Sequence, residues 1–341
     1  MHSSVTIRDV AIDANVSIAT VSNVINGKGR VSKETISKVK ESIDRLNYYP
    51  NISARTMKKK ESKLIAVIVP FENEEGNIHD NPFYWSILSS IEKCSKEKGF
   101  YTILIGMTEN QNHNLDFIKE RNIDGVIVIG AAENDPTVKF VREYQTPNVF
   151  IDSYLLDEEV FQVFLDDKQG GYMGAKHLLN LRHEKIIVIG GSREKHGVMN
   201  ERMEGVYTAF KQAELARNKV HYIDAPVSMR GGYDAGTALS EIYGATAVFC
   251  LSDIIALGLL KYLNEHNIRV PEDYSVIGFD NISSVAYSSP ALTTISQDTV
   301  RKGRVAVELL MSQINDDKIE QKKYILPASV KIRESAKKNN V

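Results

Sequence analysis

The sequence predicts a small all-α helix-turn-helix headpiece followed by an α/β body of two lobes, each built on a Rossmann-like parallel sheet. Residues 1–60 contain short amphipathic segments at helical spacing and no strand pattern. From Leu64 onward, short apolar runs alternate with longer amphipathic ones. Strands that alternate with helices form parallel sheets with right-handed crossovers. A length of 341 residues also exceeds one typical domain and fits a small module joined to larger ones.

The first two helices are predicted within residues 6–26, on either side of a tight turn. Thr6 can cap the first helix, with Asp9 at the third helical position in a capping-box arrangement. Asn15 occupies the place where the turn needs a residue that tolerates a left-handed backbone. Ser17 can cap the second helix. This pattern is typical of a helix-turn-helix.

The second helix has an outward face that fits base recognition. Its apolar side leaves Ile18, Ala19 and Asn23 facing out, where a recognition helix meets base edges in the major groove. Because two of these three side chains are apolar, we expect contacts to thymine methyl groups. Contacts to phosphates, which fix the register on DNA, are expected from Thr20, Ser22 and Asn26, supported by Arg8 and Lys33.

A third helix, capped by Ser32, leads into a segment that ends at Met57 and is followed by three lysines. From Thr6 to Met57 the chain resembles the headpiece and hinge of the lactose-repressor family of bacterial transcription regulators. The matching pieces are T-x-x-D-V-A, V-S-x-x-T-V-S, L-N-Y-x-P-N and A-R-x-M. The resemblance implies a dimer that binds double-stranded operator DNA.

The resemblance also implies which residues contact DNA beyond the outward face. Met57 occupies the hinge position whose side chain wedges between base pairs in the minor groove, and methionine is among the residues able to do this. The other expected contacts in the head and hinge are Thr6, Ser17, Asn51, Ala54 and Arg55. A bundle without a ligand and a mobile linker residue at position 57 are the alternative interpretations.

Charge is distributed unevenly along the chain. The formal net charge is −2, yet residues 1–63 carry twelve Lys and Arg against six Asp and Glu, and the remainder carries 30 against 38. A basic head on an acidic body fits a head that meets phosphates and a body that does not.

The body is predicted to contain about nine or ten strands separated by helices. The strand candidates are Leu64–Val69, Tyr101–Ile105, Gly125–Ile129, Val149–Asp152, Val163–Leu165, Lys185–Ile189, Val220–Ile223, Ala247–Leu251 and Tyr274–Gly278. The helix candidates are 83–98, 112–121, 135–144, 170–181, 201–214, 232–243, 253–267 and 299–315. This is the pattern of a periplasmic-binding-protein-like body, in which a ligand binds where the carboxyl ends of the strands face a cleft.

The resemblance adds three crossings of the chain between the lobes. The expected division is a headpiece over 1–49, a hinge over 50–62, an N-terminal lobe over 63–164 and 295–326, and a C-terminal lobe over 165–294 and 327–341.

Polar and aromatic side chains at strand ends are the candidate effector ligands. They are Phe83, Tyr84, Asp152, Arg202, Asp253 and Asp280. Each has a structural alternative: the aromatics could be core residues, and Asp253 could be a helix-start residue favoured by the dipole. Matches to the family motifs S/N-D-x-x-A-L-G, N-E-R-M-E-G and G-F-D-N favour the effector role, in which carboxylates pair with sugar hydroxyls. Val227 and Ser252 depart from the sugar-binding pattern.

Several function classes are disfavoured. Two cysteines and a start without an apolar core predict a cytoplasmic protein, and no apolar run reaches the length of a membrane span. No metal spacing or catalytic set stands out, so we expect neither an enzyme nor a cofactor. The alternatives are a solute-binding protein, a cytoplasmic enzyme, or a global carbon regulator whose corepressor is a phosphorylated carrier protein. Whether an effector releases or promotes DNA binding stays open.

Overall fold

The structure, a computed structural model, describes residues 5–25, 27–48, 61–70, 81–107, 115–192 and 197–340. The chain divides into two compact units, Met1–Glu61 and Ser62–Val341.

The first unit, the head, contains the three predicted helices: α1 (Ile7–Asp13), α2 (Ile18–Ile25) and α3 (Lys33–Arg45). Their apolar faces meet in one small core. Its buried members are Val10, Ala11, Ala14, Val21, Val39 and Tyr48. All three helices contribute residues to this core. Because helices this short are not stable in isolation, the three helices stabilise one another.

The predicted turn and caps of the head are confirmed. The Asp9 carboxylate accepts hydrogen bonds from the backbone amide of Thr6 at 2.8 Å and from its hydroxyl at 2.7 Å. Asn15 has a φ of +52° in the turn. The Ser17 hydroxyl oxygen accepts from the Thr20 amide at 3.0 Å. These contacts satisfy amides at the helix starts that lack partners within their own helix.

A link between α1 and α3 was not predicted. The Ser42 hydroxyl donates to the Asp13 carboxylate at 2.5 Å and lies 3.3 Å from the Val10 carbonyl oxygen. The Arg45 guanidinium also donates to Asp13. Asp13 therefore fastens the last turn of α1 to the third helix.

The second unit, the body, contains twelve strands in the part of the chain that the structure describes. They are β1 (Leu64–Pro70), β2 (Tyr101–Met107), β3 (Gly125–Ile129), β4 (Asn148–Ile151), β5 (Gln162–Leu165), β6 (Ile186–Gly190), β7 (Val220–Asp224), β8 (Ala247–Cys250), β9 (Ser275–Asp280), β10 (Thr293–Ser296), β11 (Lys323–Leu326) and β12 (Ser329–Lys331). The helices of the body are α4 (Pro82–Glu97), α5 (Asp116–Glu120), α6 (Pro136–Tyr144), α7 (Asp167–Asn180), α8 (Val198–Gln212), α9 (Met229–Ala235), α10 (Asp253–Glu265) and α11 (Thr299–Ile314).

The strands form two sheets, as the sequence predicts, and each sheet has six strands. The sheet of the N-lobe has the order β11-β5-β4-β3-β1-β2 and is entirely parallel. The sheet of the C-lobe has the order β12-β10-β9-β8-β6-β7, and its one antiparallel pair joins β12 to β10. Strand β3 is buried along its whole length and alternates its side chains between two apolar clusters, so both faces of its sheet are covered.

Three short strands and one helix differ from the sequence prediction. Strands β10 to β12 were not predicted, because each has only three or four residues and mixed polarity. The helix expected over 232–243 is α9 followed by a 3-10 segment, Gly236–Glu241. Since β10 pairs within the C-lobe sheet, the second crossing follows Ser296, which corrects the expected lobe boundary at 295.

The body begins with a fixed segment. The Asp124 carboxylate, in the turn before β3, accepts hydrogen bonds from the backbone amides of Ser62 at 3.0 Å and Lys63 at 2.7 Å. Lys63 has a φ of +57°. The chain is thus tied to the N-lobe at its first two residues within this unit. None of the helices that the structure describes is long and apolar enough to cross a membrane.

Candidate functional site

The outward face of α2 carries the predicted base-reading residues. Ile18 is 43% exposed, and Ala19 and Asn23 are exposed as well, whereas Val21 on the opposite side is fully buried. The helix therefore presents these three side chains to solvent while its core side holds it in place.

The other predicted DNA contacts of the head that the structure describes are at least partly accessible. Thr6, Arg8, Ser17 and Lys33 are exposed, and Thr20 and Ser22 are half-buried. The expected contacts Asn26, Asn51, Ala54, Arg55 and Met57 lie outside the described residues, as does most of the expected hinge.

In the body, polar side chains from both lobes meet at the carboxyl ends of the strands. We call this set the cleft group. Five of its members stand at strand ends or in the loops and helix starts that follow strands, and two stand on helices α8 and α11. The group comprises Asp152, Tyr154, Asp167, Arg202, Asp280, Gln297 and Lys302. Three of these, Asp152, Arg202 and Asp280, are predicted effector ligands.

Asp152 is paired with a buried lysine. It follows β4 with a φ of +52°, a conformation that is strained for a residue with a side chain. The Lys302 ammonium donates to its two carboxylate oxygens at 2.8 and 2.7 Å and to the Gln297 amide oxygen at 2.6 Å. Burial raises the pKa of Asp152, and the charge of Lys302 opposes that rise.

Asp280 ends β9 with a φ of +114°, so Asp152 and Asp280 are both placed by a backbone with positive φ. One of its oxygens accepts from the Gln297 amide at 2.7 Å, and the other accepts from the Ser252 hydroxyl at 2.8 Å. Arg202 lies 3.5 Å away. Burial raises the pKa of Asp280, and Arg202 opposes the rise.

Arg202 connects Asp280 to Asp167 within the cleft group. Its Nε donates to Asp167 at 2.7 Å, a second nitrogen donates to the Leu251 carbonyl oxygen, and its guanidinium lies 3.6 Å from the centre of the Phe279 ring. Asp167 in turn accepts from the Tyr154 hydroxyl at 2.7 Å. Burial and the neighbouring Asp167 raise the pKa of Tyr154, so its hydroxyl stays protonated as a donor.

The contacts form one continuous polar chain from Asp152 to Tyr154, only two residues apart in sequence. It runs through both lobes and through two of the crossings between them. With all carboxyls ionised, three carboxylates face two cations, which leaves one excess negative charge. Such a site offers oxygen acceptors and ordered donors to a polar ligand.

Asp253 makes its contacts outside this group, and its role as an effector ligand stays a prediction. It is fully buried at the start of α10. Its carboxylate accepts from the Thr294 hydroxyl at 2.6 Å and from the Ile282 amide at 2.9 Å. Burial raises its pKa well above the usual range, and Asp280 adds to the rise. Asp253 therefore fastens α10 to β10 and to the loop after β9.

The predicted aromatics lie at the start of α4. Phe83 is half-buried and packs against apolar clusters of both lobes, and its ring lies 5.6 Å from the Lys302 ammonium. Tyr84 packs against the N-lobe cluster and meets Phe83 edge to face, with ring centres 5.5 Å apart. Phe83 is thus the apolar contact that spans the lobes beside the polar group.

Four members of the cleft group were not predicted from the sequence. For one of them, Lys302, the surrounding sequence does indicate a buried side chain. Lys302 stands on the apolar face of α11, at helical spacing from Ala306, Leu309 and Leu310, and all four are buried. A lone cation on an apolar helix face predicts a buried partner. Tyr154, Asp167 and Gln297 had no such signal, because only tertiary contacts select them.

No group of metal-ligating side chains occurs among the residues described by the structure. The cleft group is therefore a site of hydrogen bonds and ion pairs in this part of the chain.

Comparison with known proteins agrees with this architecture. The family model for bacterial regulatory proteins of the lacI family matches residues 6–51, and the model for a periplasmic binding protein-like domain matches residues 175–336. The chain is 31% identical to the HTH-type transcriptional repressor PurR of Vibrio vulnificus, over 98% of its own length and 99% of the relative.

The chain belongs to the lacI family. It is also 30% identical to the ribose operon repressor of Haemophilus influenzae, over 97% of this chain and 98% of that one. A solved lacI-family regulator from Enterococcus faecium with bound ribose is 29% identical, with a TM-score of 0.73 over 81% of this chain and all of the other. As a lacI-family member, the chain is a DNA-binding transcription regulator and not an enzyme.

Proposed function

We propose that this lacI-family protein represses carbohydrate-utilisation genes. As a dimer it binds a palindromic operator, and a small sugar-like effector in the interlobe cleft controls that binding. The observation that carries the effector half is the cleft group, in which two buried carboxylates, Asp152 and Asp280, stand at strand ends beside Arg202. Carboxylates accept hydrogen bonds from sugar hydroxyls, and Phe83 supplies an apolar surface next to them.

The DNA half rests on α2. Ile18, Ala19 and Asn23 stand exposed on a capped helix that is held by its own core, which is the arrangement of a recognition helix. The phosphate contacts of Thr20, Ser22 and Asn26, and the hinge contacts of Asn51, Ala54, Arg55 and Met57, stay part of the proposal.

The effector would act by changing the relative angle of the lobes. The polar chain of the cleft group crosses from one lobe to the other, so a ligand that takes hydrogen bonds from it changes contacts on both sides. A ligand shifts such an equilibrium only by its difference in affinity for the two arrangements.

The test is fluorescence anisotropy of a labelled operator, selected with the full chain from genomic DNA fragments, with D-ribose as the first effector probe. Asn23→Ala should lower operator affinity by about 1–3 kcal/mol, the value of one base contact, while Ser37→Ala on the exposed side of α3 leaves it unchanged. Asp280→Ala should abolish the response to the sugar, while the folded variant still binds the operator. Full operator affinity in Asn23→Ala, or a full sugar response in Asp280→Ala, would contradict the respective half.

A further inference from the structure

We infer that the Lys302–Asp152 ion pair sets the charge selectivity of the cleft: because its charges cancel and the donors of Lys302 are engaged within the protein, the site accepts uncharged, hydroxyl-bearing ligands and rejects phosphorylated ones. The inference rests on the proposed function, since it takes the cleft group as the effector site. It adds the chemical class of the ligand and the residue that selects it.

The ammonium of Lys302 is fully committed. A lysine ammonium has three N–H donors, and here they meet the two oxygens of Asp152 and the amide oxygen of Gln297. The side chain is 1% exposed. Lys302 thus differs from a surface lysine, whose donors are open to an incoming anion.

Arg202, the other cation of the cleft group, is committed too. It faces Asp167, the Leu251 carbonyl oxygen and Asp280, and the Phe279 ring covers one side of its guanidinium. Phosphate recognition depends on Arg and Lys donors that fork across the phosphate oxygens. A phosphate could gain these donors only by leaving a buried carboxylate without its partner, which is strongly unfavourable.

The excess negative charge of the cleft group also disfavours binding of a phosphate. Pairing of Lys302 with Asp152 and of Arg202 with Asp167 leaves the charge of Asp280 in excess. The donors on Asp280 are the neutral groups of Ser252 and Gln297. A ligand hydroxyl can replace either donor without changing the charge balance, whereas a phosphate would meet a buried carboxylate at low dielectric.

The first experiment is isothermal titration of the full chain with two matched pairs: D-ribose with D-ribose 5-phosphate, and D-glucose with D-glucose 6-phosphate. For the sugar that binds, the phosphate should bind at least about tenfold more weakly, as expected for one repulsion between poorly solvated charges. Asp152→Asn frees the ammonium of Lys302 and removes one negative charge, so it should reduce that ratio. A phosphate that binds the unmodified chain as tightly as its parent sugar overturns the inference.

If none of the four compounds binds the unmodified chain, the carbohydrate proposal fails, and inorganic phosphate still decides the charge inference. Replacing Asp152 and Asp280 together by Asn changes the excess charge of the cleft group from one negative to one positive. Millimolar phosphate, against chloride at equal ionic strength, should then raise the melting temperature of this variant by more than that of the unmodified chain. Any effect of phosphate on the basic head is the same in both proteins, so it does not alter the difference between their melting-temperature shifts. Equal shifts overturn the inference, and Asp280→Asn alone serves as the second variant if the double one does not fold.

Discussion

The outward face of α2 in the head and the cleft group of the body differ in how accessible their polar and apolar side chains are. The proposed base-reading residues of the head, Ile18, Ala19 and Asn23, are exposed on a helix that is held by caps and a small core. In the cleft, Asp152 and Arg202 are almost fully buried and already hydrogen-bonded to protein partners. Under the proposed function, the head presents accessible side chains to DNA, whereas the cleft group must exchange its protein partners for those of a ligand.

This difference in burial predicts that substitutions at the two sites affect folding stability differently. A surface that presents exposed groups can lose one of them at little cost to folding, because nothing else in the protein depends on it. A buried network cannot, because each removal leaves a charged partner without its counterpart. Changes in the cleft should therefore register first as lost stability, and changes on the outward face of α2 as lost affinity for DNA.

The largest effect is expected from Lys302→Met. This change leaves the Asp152 carboxylate buried without its cation, so the free energy of unfolding should fall by about 3–5 kcal/mol in urea denaturation. The matched control is Lys318→Met, since Lys318 pairs with Glu320 while both side chains are more than four-fifths exposed. The control should change stability by less than about 0.5 kcal/mol. A loss below about 1 kcal/mol in Lys302→Met would show that Asp152 finds other partners.

A smaller effect, confined to the head, is expected from Val10→Ala. Val10 is fully buried in the small core, and two buried methyl groups are worth about 2 kcal/mol. The variant should lose operator affinity as its head unfolds, while the affinity of the body for its effector stays constant. Val5→Ala, at an exposed position of the same unit, is the control. Loss of effector binding in Val10→Ala would show that the two units depend on each other for folding.

The smallest effect is a difference in pH dependence. Hydrogen bonds from Ser42 and Arg45 lower the pKa of Asp13, so its contribution to stability is present above the ordinary pKa of 3.8 and is lost as the pH falls through the lowered value. Burial raises the pKa of Asp152 and Asp280, so their contribution has the opposite sign and is lost as the pH rises from 3.8 through the raised values.

Acidification should therefore weaken the head before the body. The measurement is the loss of head amide signals in NMR spectra as the pH is lowered below about 4. Asp13→Asn should make the acid transition of the head shallower, and Asp44→Asn on the exposed side of α3 should leave it unchanged. An identical transition in the unmodified chain and in Asp13→Asn would remove Asp13 as its cause.

The sequence predicted the head well because its signals are local. The capping contacts of Thr6, the left-handed Asn15 and the cap at Ser17 each depend on residues within a few positions of each other. Long apolar strands such as β1 and β3 were equally plain, since burial on both faces produces a continuous apolar run.

The cleft was predicted only in part because its partners are distant in sequence. Asp152 and Lys302 are 150 residues apart and Arg202 and Asp167 are 35 apart, so no local pattern joins them. The motif gave the position of Asp253 but not the direction of its side chain, and this carboxylate turns towards Thr294 and Ile282. Strands β10 to β12 were missed because pairing with neighbours, rather than composition, makes them strands.

The tether at Asp124 has a mechanical consequence. Its two carboxylate oxygens hold the amides of Ser62 and Lys63 against the turn that opens β3, a strand in the middle of the N-lobe sheet. These hydrogen bonds therefore restrain the first two residues of the body relative to the N-lobe sheet. In the proposed rotation of the lobes, residue 62 moves together with the N-lobe, and a force on residue 62 acts on the centre of its sheet rather than on an edge strand.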